Sequence, residues 1–522
     1  MTQAIDHVAL LPAYLAAGTA LLALLTDLAV ARRAATLAVT AAGAATVAVA
    51  AWAVGTGPVR DTFCLADAPA ACSFRADPTS ALVATLFALL TLGVLGLSGY
   101  AVRGLPAGEY CFLLAASMTG GVVLGYSRDL ITLVVALETL TLPLYALVGL
   151  RRRSVDSAQG AVTFFVVSVV SVAVTLLGAA LLYAATGAVH LRALAAALAD
   201  GVPGELTTLA SAGAVLVLAG LVFKVAAVPF HAWAPATYDG APLPIAAYLS
   251  TTSKLGGVVA VVYVVAIGLQ PWLDVVGPAL AGFAVLTMTV GNLVALRQRR
   301  MVRLLAWSSV AQAGYILAPL GAFAVGTGRT SDALALAVTA TIAYAVFYVM
   351  IELAAFGSVV VLRGGAVMPA VSLASLDRSD VDGGEIEQYR GVARRSPWVA
   401  AAFTLALVGL AGLPPGLAGL FAKIVVVRSL LGGGAGWLAV IVALNAVIGL
   451  AYYLPVAVRL YGDRAAAEPA AVPAERVAGP GLRPGWGAPL WSGLALAATT
   501  VVAIVVGFAP QLVLDAAALV AG

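Results

Sequence analysis

Only three of the 28 basic residues in this chain are lysines, and all three lie inside apolar runs. Lys224 sits in "LVLAGLVFKVAAVPFHAWAP", Lys254 in "AAYLSTTSKLGGVV" and Lys423 in "GLAGLPPGLAGLFAKIV". Placing a lysine at the centre of a membrane helix costs roughly 2.5 to 3.5 kcal/mol on insertion scales. Arginine holds its proton in a protein, whereas a buried lysine can give its proton up. A bias toward arginine in the gene would explain the loops. It does not explain why the remaining lysines occupy the costliest positions. Their chemistry is that of proton carriers; for any one of them, snorkelling to an interface or pairing with a carboxylate is the competing reading.

One acidic residue matches them. Glu138, in "DLITLVVALETLTLPLYALVGL", lies near the middle of an apolar span and is followed five residues later by Pro143. Opposite charges about 4 Å apart gain roughly 4 kcal/mol at an effective dielectric of 20. Glu138 beside Lys224 would therefore make a buried ion pair, and drawing such a pair apart redistributes protons. Two spans that carry lysines are also interrupted, at Pro229 and at Pro414 and Pro415. Proline removes a backbone donor and frees a carbonyl, which water can satisfy inside a membrane protein.

The elements that must hold these groups follow from composition. Hydrophobic residues make up 62% of the chain and charged residues 10%, which defines a polytopic membrane protein. Spans of about 20 apolar residues begin near Val8, Ala34, Thr79, Glu109, Asp129, Gly160, Thr208, Pro242, Leu273, Met301, Ser331, Pro397, Trp437 and Leu490. The fold expected is all-α, with about 14 transmembrane helices. The first run has no basic region before it and no small-residue cleavage site, so it is read as a retained helix. With the N-terminus outside, inward loops hold 19 arginines and outward loops six. That asymmetry obeys the positive-inside rule and puts both termini on the outer side.

The seventh and twelfth spans, both broken, are five spans apart. Broken helices at corresponding positions indicate inverted repeats. The reading is therefore residues 1–104 for helices one to three, 105–268 for a first repeat (helices four to eight), 269–462 for a second repeat of opposite orientation (helices nine to thirteen), and 463–522 for a linker and helix fourteen. The polar segments around Arg363 to Ser396 and "GDRAAAEPAAVPAERVAGPGLRPG" are read as solvated connections. Three cysteines and three histidines are too few for the usual metal, haem or iron–sulfur ligand sets, so no redox centre and no metal are expected. Cys64 and Cys72 share an outward loop and could form a disulfide or remain free thiols. Scattered arginines give no nucleic-acid face.

The run "FKVAAVPFHAWAPATYDGAPLPIAAYLSTTSK" resembles the antiporter-like subunits of respiratory complex I, the proton-translocating NADH-quinone oxidoreductase. Its "YDGAP" and "AYLSTTSK" elements are most similar to the N type of that family. "LETLTLPLYAL", "GNLVALRQRRMVRLLAWSSVAQAGYIL" and "AGLPPGLAGLFAKIVV" extend the resemblance over helices four to thirteen. It implies a central polar axis on which Glu138 pairs with Lys224, Lys254 is the central proton carrier and Lys423 the carrier near the exit. It also implies that NADH, FMN, iron–sulfur clusters and quinone belong to other subunits, and that this chain works beside related membrane subunits in the bilayer of a bacterial plasma membrane. His231 is either a relay between Lys224 and Lys254 or a cap on a turn. Gln312 stands where relatives often carry histidine, and it can hold a water wire without titrating. Glu352 is a neutral core carboxyl, an extra relay, or a partner for a basic group on a neighbouring helix. Two other readings remain: a subunit of a multi-subunit cation/proton antiporter or membrane-bound hydrogenase, and a scaffold that transports nothing.

Overall fold

The computed structural model describes residues 5–65, 68–103, 105–151, 154–364, 382–463 and 489–521. It is an all-helical bundle carrying one small hairpin. Helices α1 (Leu11–Val30), α2 (Arg33–Gly55) and α3 (Pro78–Leu97) lead into α4 (Ala107–Tyr126), α5 (Leu130–Val148) and α6 (Val155–Thr186). After the short α7 (Leu191–Asp200), the seventh crossing is split into α8 (Gly204–Lys224) and α9 (Trp233–Gly240). The eighth runs through α10 (Leu243–Tyr248), a π-turn at Leu249–Ser253 and α11 (Lys254–Tyr263). Then follow α12 (Leu273–Ala295), α13 (Met301–Leu317) and α14 (Ser331–Gly364). The twelfth crossing is again two pieces, α15 (Pro397–Ala411) and α16 (Leu417–Gly432), before α17 (Gly436–Tyr461), α18 (Pro489–Phe508) and α19 (Gln511–Ala521).

Twelve helical segments among the described residues are long and apolar enough to span a bilayer. Adding α13 and the split α15/α16 gives fourteen crossings, as the hydropathy pattern predicts. The eighth crossing and α14 are the most enclosed of the spans, so both lie at the centre of the bundle. At 34 residues, α14 is about 51 Å long, which exceeds a hydrocarbon core of about 30 Å. It must tilt or project. Packing in a membrane depends on close backbone approach rather than on hydrophobic drive. The α6–α8 crossing shows this: a Cβ on Gly178 would lie 2.6 Å from Val217 N, and one on Gly213 2.9 Å from Gly178 O.

Two polar ends frame the bundle. At one, strands β1 (Arg60–Leu65) and β2 (Ala68–Ala76) pair antiparallel, with Cys64 opposite Cys72. The two sulfurs are 1.99 Å apart. The hairpin lies against the start of α5, where Asp129 caps the helix by accepting from the Ile131 and Thr132 amides at 2.9 and 2.8 Å. Arg128 reaches Asp77 at 2.9 Å and stacks over Tyr263 at 4.6 Å. We propose that the two cysteines form the disulfide in the assembled protein. Both sulfurs are then expected to resist a thiol reagent until a reductant is added, and labelling of both beforehand would rule the bond out. Closing so short a loop contributes about 2 to 3 kcal/mol in the chain-entropy reckoning. Cys64→Ser should speed amide exchange across Arg60–Ala76 accordingly.

The other end gathers arginines. Asp239 of "YDGAP" accepts from Arg300 and Arg303, each at 2.9 Å, and Arg151 donates to its backbone carbonyl at 3.3 Å. Arg300 also reaches Asp382 at 2.9 Å, and Arg363 meets the other oxygen of the same carboxylate at 2.9 Å. Burial pushes the Asp382 carboxyl up, but Arg300 and then Arg363 outweigh it and hold it below the ordinary value of 3.8. A carboxyl depressed on folding stabilises fully above its unfolded pKa and loses that contribution as pH falls through the lower folded value. Amide protection in residues 382–396, corrected for the intrinsic pH dependence of exchange, is therefore expected to hold from neutral pH down to about 4 and to fall only below it. Opening of this segment in mildly acidic buffer would contradict the assignment.

Three elements lie outside the span pattern. Helix α7 buries Leu191, Leu194 and Leu198, the i, i+3, i+7 stripe of an amphipathic surface helix. The hairpin occupies what hydropathy marks only as an outward loop. Helix α19 returns to the hairpin end, where Leu519 O accepts from Thr79 Oγ1 at 2.7 Å. Most of the polar segment after Arg363 and nearly all of the Pro/Ala-rich linker (365–381 and 464–488) lie outside the described residues.

Candidate functional site

The two helix breaks are built alike. Helix α8 ends at Lys224, and Ala226 turns left-handed (φ 62°). Ala226 N donates to Phe223 O at 2.8 Å and Ala227 N to Val222 O at 3.0 Å. Helix α15 ends at Ala411, with Gly412 left-handed (φ 83°). Gly412 N donates to Gly409 O at 2.9 Å and Leu413 N to Val408 O at 3.1 Å. These are the paired hydrogen bonds of a Schellman motif. In each break a proline joined by a cis bond follows three residues after the left-handed residue, at Pro229 and at Pro415, the latter preceded by Pro414.

Each break carries an ammonium at the carbonyl end of its leading half-helix. That is the negative pole of the helix dipole, where a cation is favoured. Lys224 is the last residue of α8 itself. Lys423 belongs to the following half, α16, but its Nζ reaches back to Ala411 O at 2.5 Å and Leu410 O at 3.2 Å. When the two left-handed residues are aligned, Leu410 corresponds to Lys224. The two amines thus reach equivalent places by different routes. Gly412 leaves the room needed, since a Cβ there would lie 2.7 Å from Lys423 Cδ.

Lys224 is almost completely buried and donates to Glu138 Oε1 at 2.6 Å, Ser168 Oγ at 2.8 Å and Thr141 Oγ1 at 3.2 Å. All three hydrogens of the ammonium are therefore used. Glu138 and Thr141 are three residues apart on α5 and share a face. The pair predicted from the sequence is in contact.

Lys254 begins α11 directly after the π-turn, an interruption often found at functional positions. Its Nζ donates to both Ser309 O and Ser309 Oγ of α13 at 2.5 Å. Ser309 Oγ is 2.8 Å from Tyr348 OH on α14, and Tyr348 OH donates to Ser250 O within the π-turn at 2.9 Å. The neighbouring Ser308 hydroxyl bonds Tyr453 OH of α17. Gln312, one turn further along α13, donates from Nε2 to Tyr453 OH and to Leu410 O, both at 3.1 Å, and accepts from Tyr344 OH at 2.6 Å. Leu410 O is also an acceptor for Lys423. Hydrogen-bonded groups therefore run from Ser308 through Tyr453 and Gln312 to Lys423, with Lys254 bound to the adjacent Ser309.

The remaining candidates fall differently. No hydrogen bond among the described residues links Lys224 to Lys254; Gly257 of α11 packs instead on the backbone of Lys224. His231 stands off the line, its ring 5.2 Å from that of Trp307 and its Nδ1 without a hydrogen-bond partner. Glu352 is completely buried, and neither carboxyl oxygen has a hydrogen-bond partner. Sequence reasoning missed Ser168, Thr141, Ser309, Tyr348 and Tyr453. Of these, Thr141 was detectable, three residues from Glu138 on one helical face. No group of three or more His, Cys, Asp or Glu gathers among the described residues as a metal site would require. A cavity of about 590 Å³ opens beside Lys423 between α16 and α17, with Arg428 among its lining residues.

A fourteen-crossing bundle with two matched helix breaks and three lysines within its spans, two of them buried, defines an ion-translocating membrane subunit of the antiporter-like class. The profile of the family described as "NADH:quinone oxidoreductase/Mrp antiporter, TM" matches residues 127–449. NADH-quinone oxidoreductase subunit N of Salinispora tropica is 60% identical, over 99% of each chain. The subunit N of Mycobacterium bovis is 36% identical, over 78% of this chain and 70% of the relative. The chain belongs to the NADH:quinone oxidoreductase/Mrp antiporter family of transmembrane proteins. A chain of respiratory complex I from Thermus thermophilus superposes with a TM-score of 0.72 at 27% identity, over 97% of this chain and 98% of that one. A chain of the Mrp complex from Dietzia shares the fold, with a TM-score of 0.80 at 23% identity, over 99% and 97%.

Proposed function

We propose that this chain is the N-type membrane subunit of a bacterial NADH-quinone oxidoreductase. In that role it moves protons across the plasma membrane by coupled titration of Glu138, Lys224, Lys254 and Lys423. The observation that carries the reading is the Glu138–Lys224 pair at 2.6 Å, set at a helix break in a chain 60% identical to a curated subunit N. The chain takes no part in electron transfer; NADH, FMN, iron–sulfur clusters and quinone are handled by partner subunits. Opening of the pair frees Lys224 to pass a proton toward Lys254. Water held along the polar groups from Ser308 to Lys423 carries it on, with Gln312 as a non-titrating anchor for that water. The arginine-rich end faces the cytoplasm and the hairpin end the outside, which leaves both termini outside. Residues 105–268 and 269–462 form the two inverted repeats.

The test is isolation of the intact assembly by an affinity tag on this chain. Co-purifying flavin and iron–sulfur subunits with NADH:quinone reductase activity support the reading. Isolation with only other antiporter-like chains, together with sodium- or lithium-dependent ΔpH dissipation, would favour a multi-subunit cation/proton antiporter instead.

A further inference from the structure

Among the described residues Glu352 is a fully buried carboxyl that the mechanism above does not use. It sits on α14, the helix most enclosed by the rest of the bundle together with the eighth crossing. It is 0% exposed, and both carboxyl oxygens lack a hydrogen-bond partner. A buried carboxylate with no donors is costly by several kcal/mol, and glutamine, leucine or methionine would fill the same space at less cost. Glu352 lies one turn beyond Tyr348 on the same face of α14. Tyr348 is tied through Ser309 to the Lys254 amine, which lies 5.7 Å from the Tyr348 ring centre. The titratable groups that act on Glu352 or feel its charge are Lys254 from the eighth crossing, Tyr348 from its own helix, Tyr238 from α9 and Tyr453 from α17. Of these only Lys254 can carry a positive charge.

The geometry points to Glu352 as the proton partner of Lys254, a second carboxylate–lysine pair that stands open in this structure while Glu138–Lys224 stands closed. The Lys254 amine is turned to the two oxygens of Ser309, and no ion pair among the described residues joins it to Glu352. When the amine swings from Ser309 toward α14, an N–H bond of the ammonium breaks and an O–H bond forms on Glu352. The electron pair stays on nitrogen, and a neutral amine and a neutral acid result. The reverse transfer restores both charges, and no other reactant is needed. The inference rests on the reading of Lys254 as a proton carrier.

The experiment places Glu352→Gln and, as a control, Lys254→Ala in the whole complex in inverted membrane vesicles. Assembled complex, NADH-driven proton uptake and quinone reduction are measured, together with infrared difference spectra during turnover. Glu352→Gln is expected to assemble, to lower proton uptake about tenfold or more, and to lose a protonated-carboxyl band that wild type shows, with Glu352→Asp recovering part of each. Wild-type proton uptake in assembled Glu352→Gln would overturn the inference, because a packing carboxyl is replaced by its amide without loss. If Glu352→Gln does not assemble, Glu352→Asp is decisive: reduced uptake with a shifted carboxyl band supports the pairing, and unchanged uptake with an unchanged band overturns it. Lys254→Ala separates the two levels. If it leaves pumping intact, the carrier role of Lys254 fails; if it abolishes pumping while Glu352→Gln has no effect, only the pairing fails.

Discussion

Glu138→Gln in the assembled complex is expected to lower NADH-driven proton uptake and coupled quinone reduction by at least about tenfold, equivalent to about 1.4 kcal/mol on the limiting barrier. The reason is geometric. Lys224 Nζ has three acceptors among the described residues, and of these Glu138 at 2.6 Å is the charged one; Ser168 and Thr141 supply dipoles alone. Removing one member of a buried pair typically costs about 3 to 5 kcal/mol, because it leaves the other charge uncompensated. A loss of assembly is therefore a second measurable consequence. The double variant Glu138→Gln/Lys224→Met removes both charges and should assemble better than Glu138→Gln alone, yet remain as poor at pumping. Glu138→Asp retains the charge one methylene further away and should fall between. Wild-type uptake and turnover in assembled Glu138→Gln would discard the pair as a working element and favour a scaffold.

The second large effect belongs to Gln312. Its side chain makes three hydrogen bonds, to Tyr344, Tyr453 and Leu410 O, and the last of these also receives Lys423. Gln312→Leu has a similar volume and would leave the Tyr344 hydroxyl without its partner, while Tyr453 keeps Ser308 and Leu410 O keeps Lys423. Each buried polar group left without a partner costs about 1 to 3 kcal/mol. We expect proton uptake to drop about tenfold or more through interruption of the line from Ser308 to Lys423, with some loss of stability. Gln312→His can still both donate and accept, and should keep most of the activity. Equal uptake in wild type and Gln312→Leu would show that protons reach Lys423 by another route.

Much of this arrangement is legible in the amino-acid sequence because burying charge in lipid is so costly. Lys224, Lys254, Lys423 and Glu138 stand out in their apolar runs, and the prolines at 229, 414 and 415 mark the interruptions by residue type alone. The pairing between distant helices leaves no such trace. Lys254 meets Ser309, 55 positions away, and Gln312 meets Leu410, 98 positions away. Serine, threonine and tyrosine are common in membrane helices, so Ser309 and Tyr348 carry no mark in the sequence. The acceptors of Lys423 are backbone carbonyls, which no side chain announces. The sequence offers His231 either as a relay between lysines or as a cap on a turn, and contact with Trp307 of α13, 76 positions away, could not be read from it. Helix α7 escapes a hydropathy reading because its stripe of three leucines is too short for a span.

The matched helix ends have a consequence for how the subunit responds to the voltage it helps to create. Helix α8 enters from the hairpin end and α15 from the arginine-rich end, and both stop within the membrane. The carbonyl ends of α8 and α15 therefore point in opposite directions, and on the proposed reading any component of charge movement along those axes crosses the field in opposite senses. Moving one charge across 100 mV is worth about 2.3 kcal/mol, and a partial crossing takes that fraction. As the membrane charges, the potential assists release at one lysine and retards it at the other. If the two lysines carry protons as proposed, the load on the membrane would bear on the order of release within one chain as well as on its overall rate.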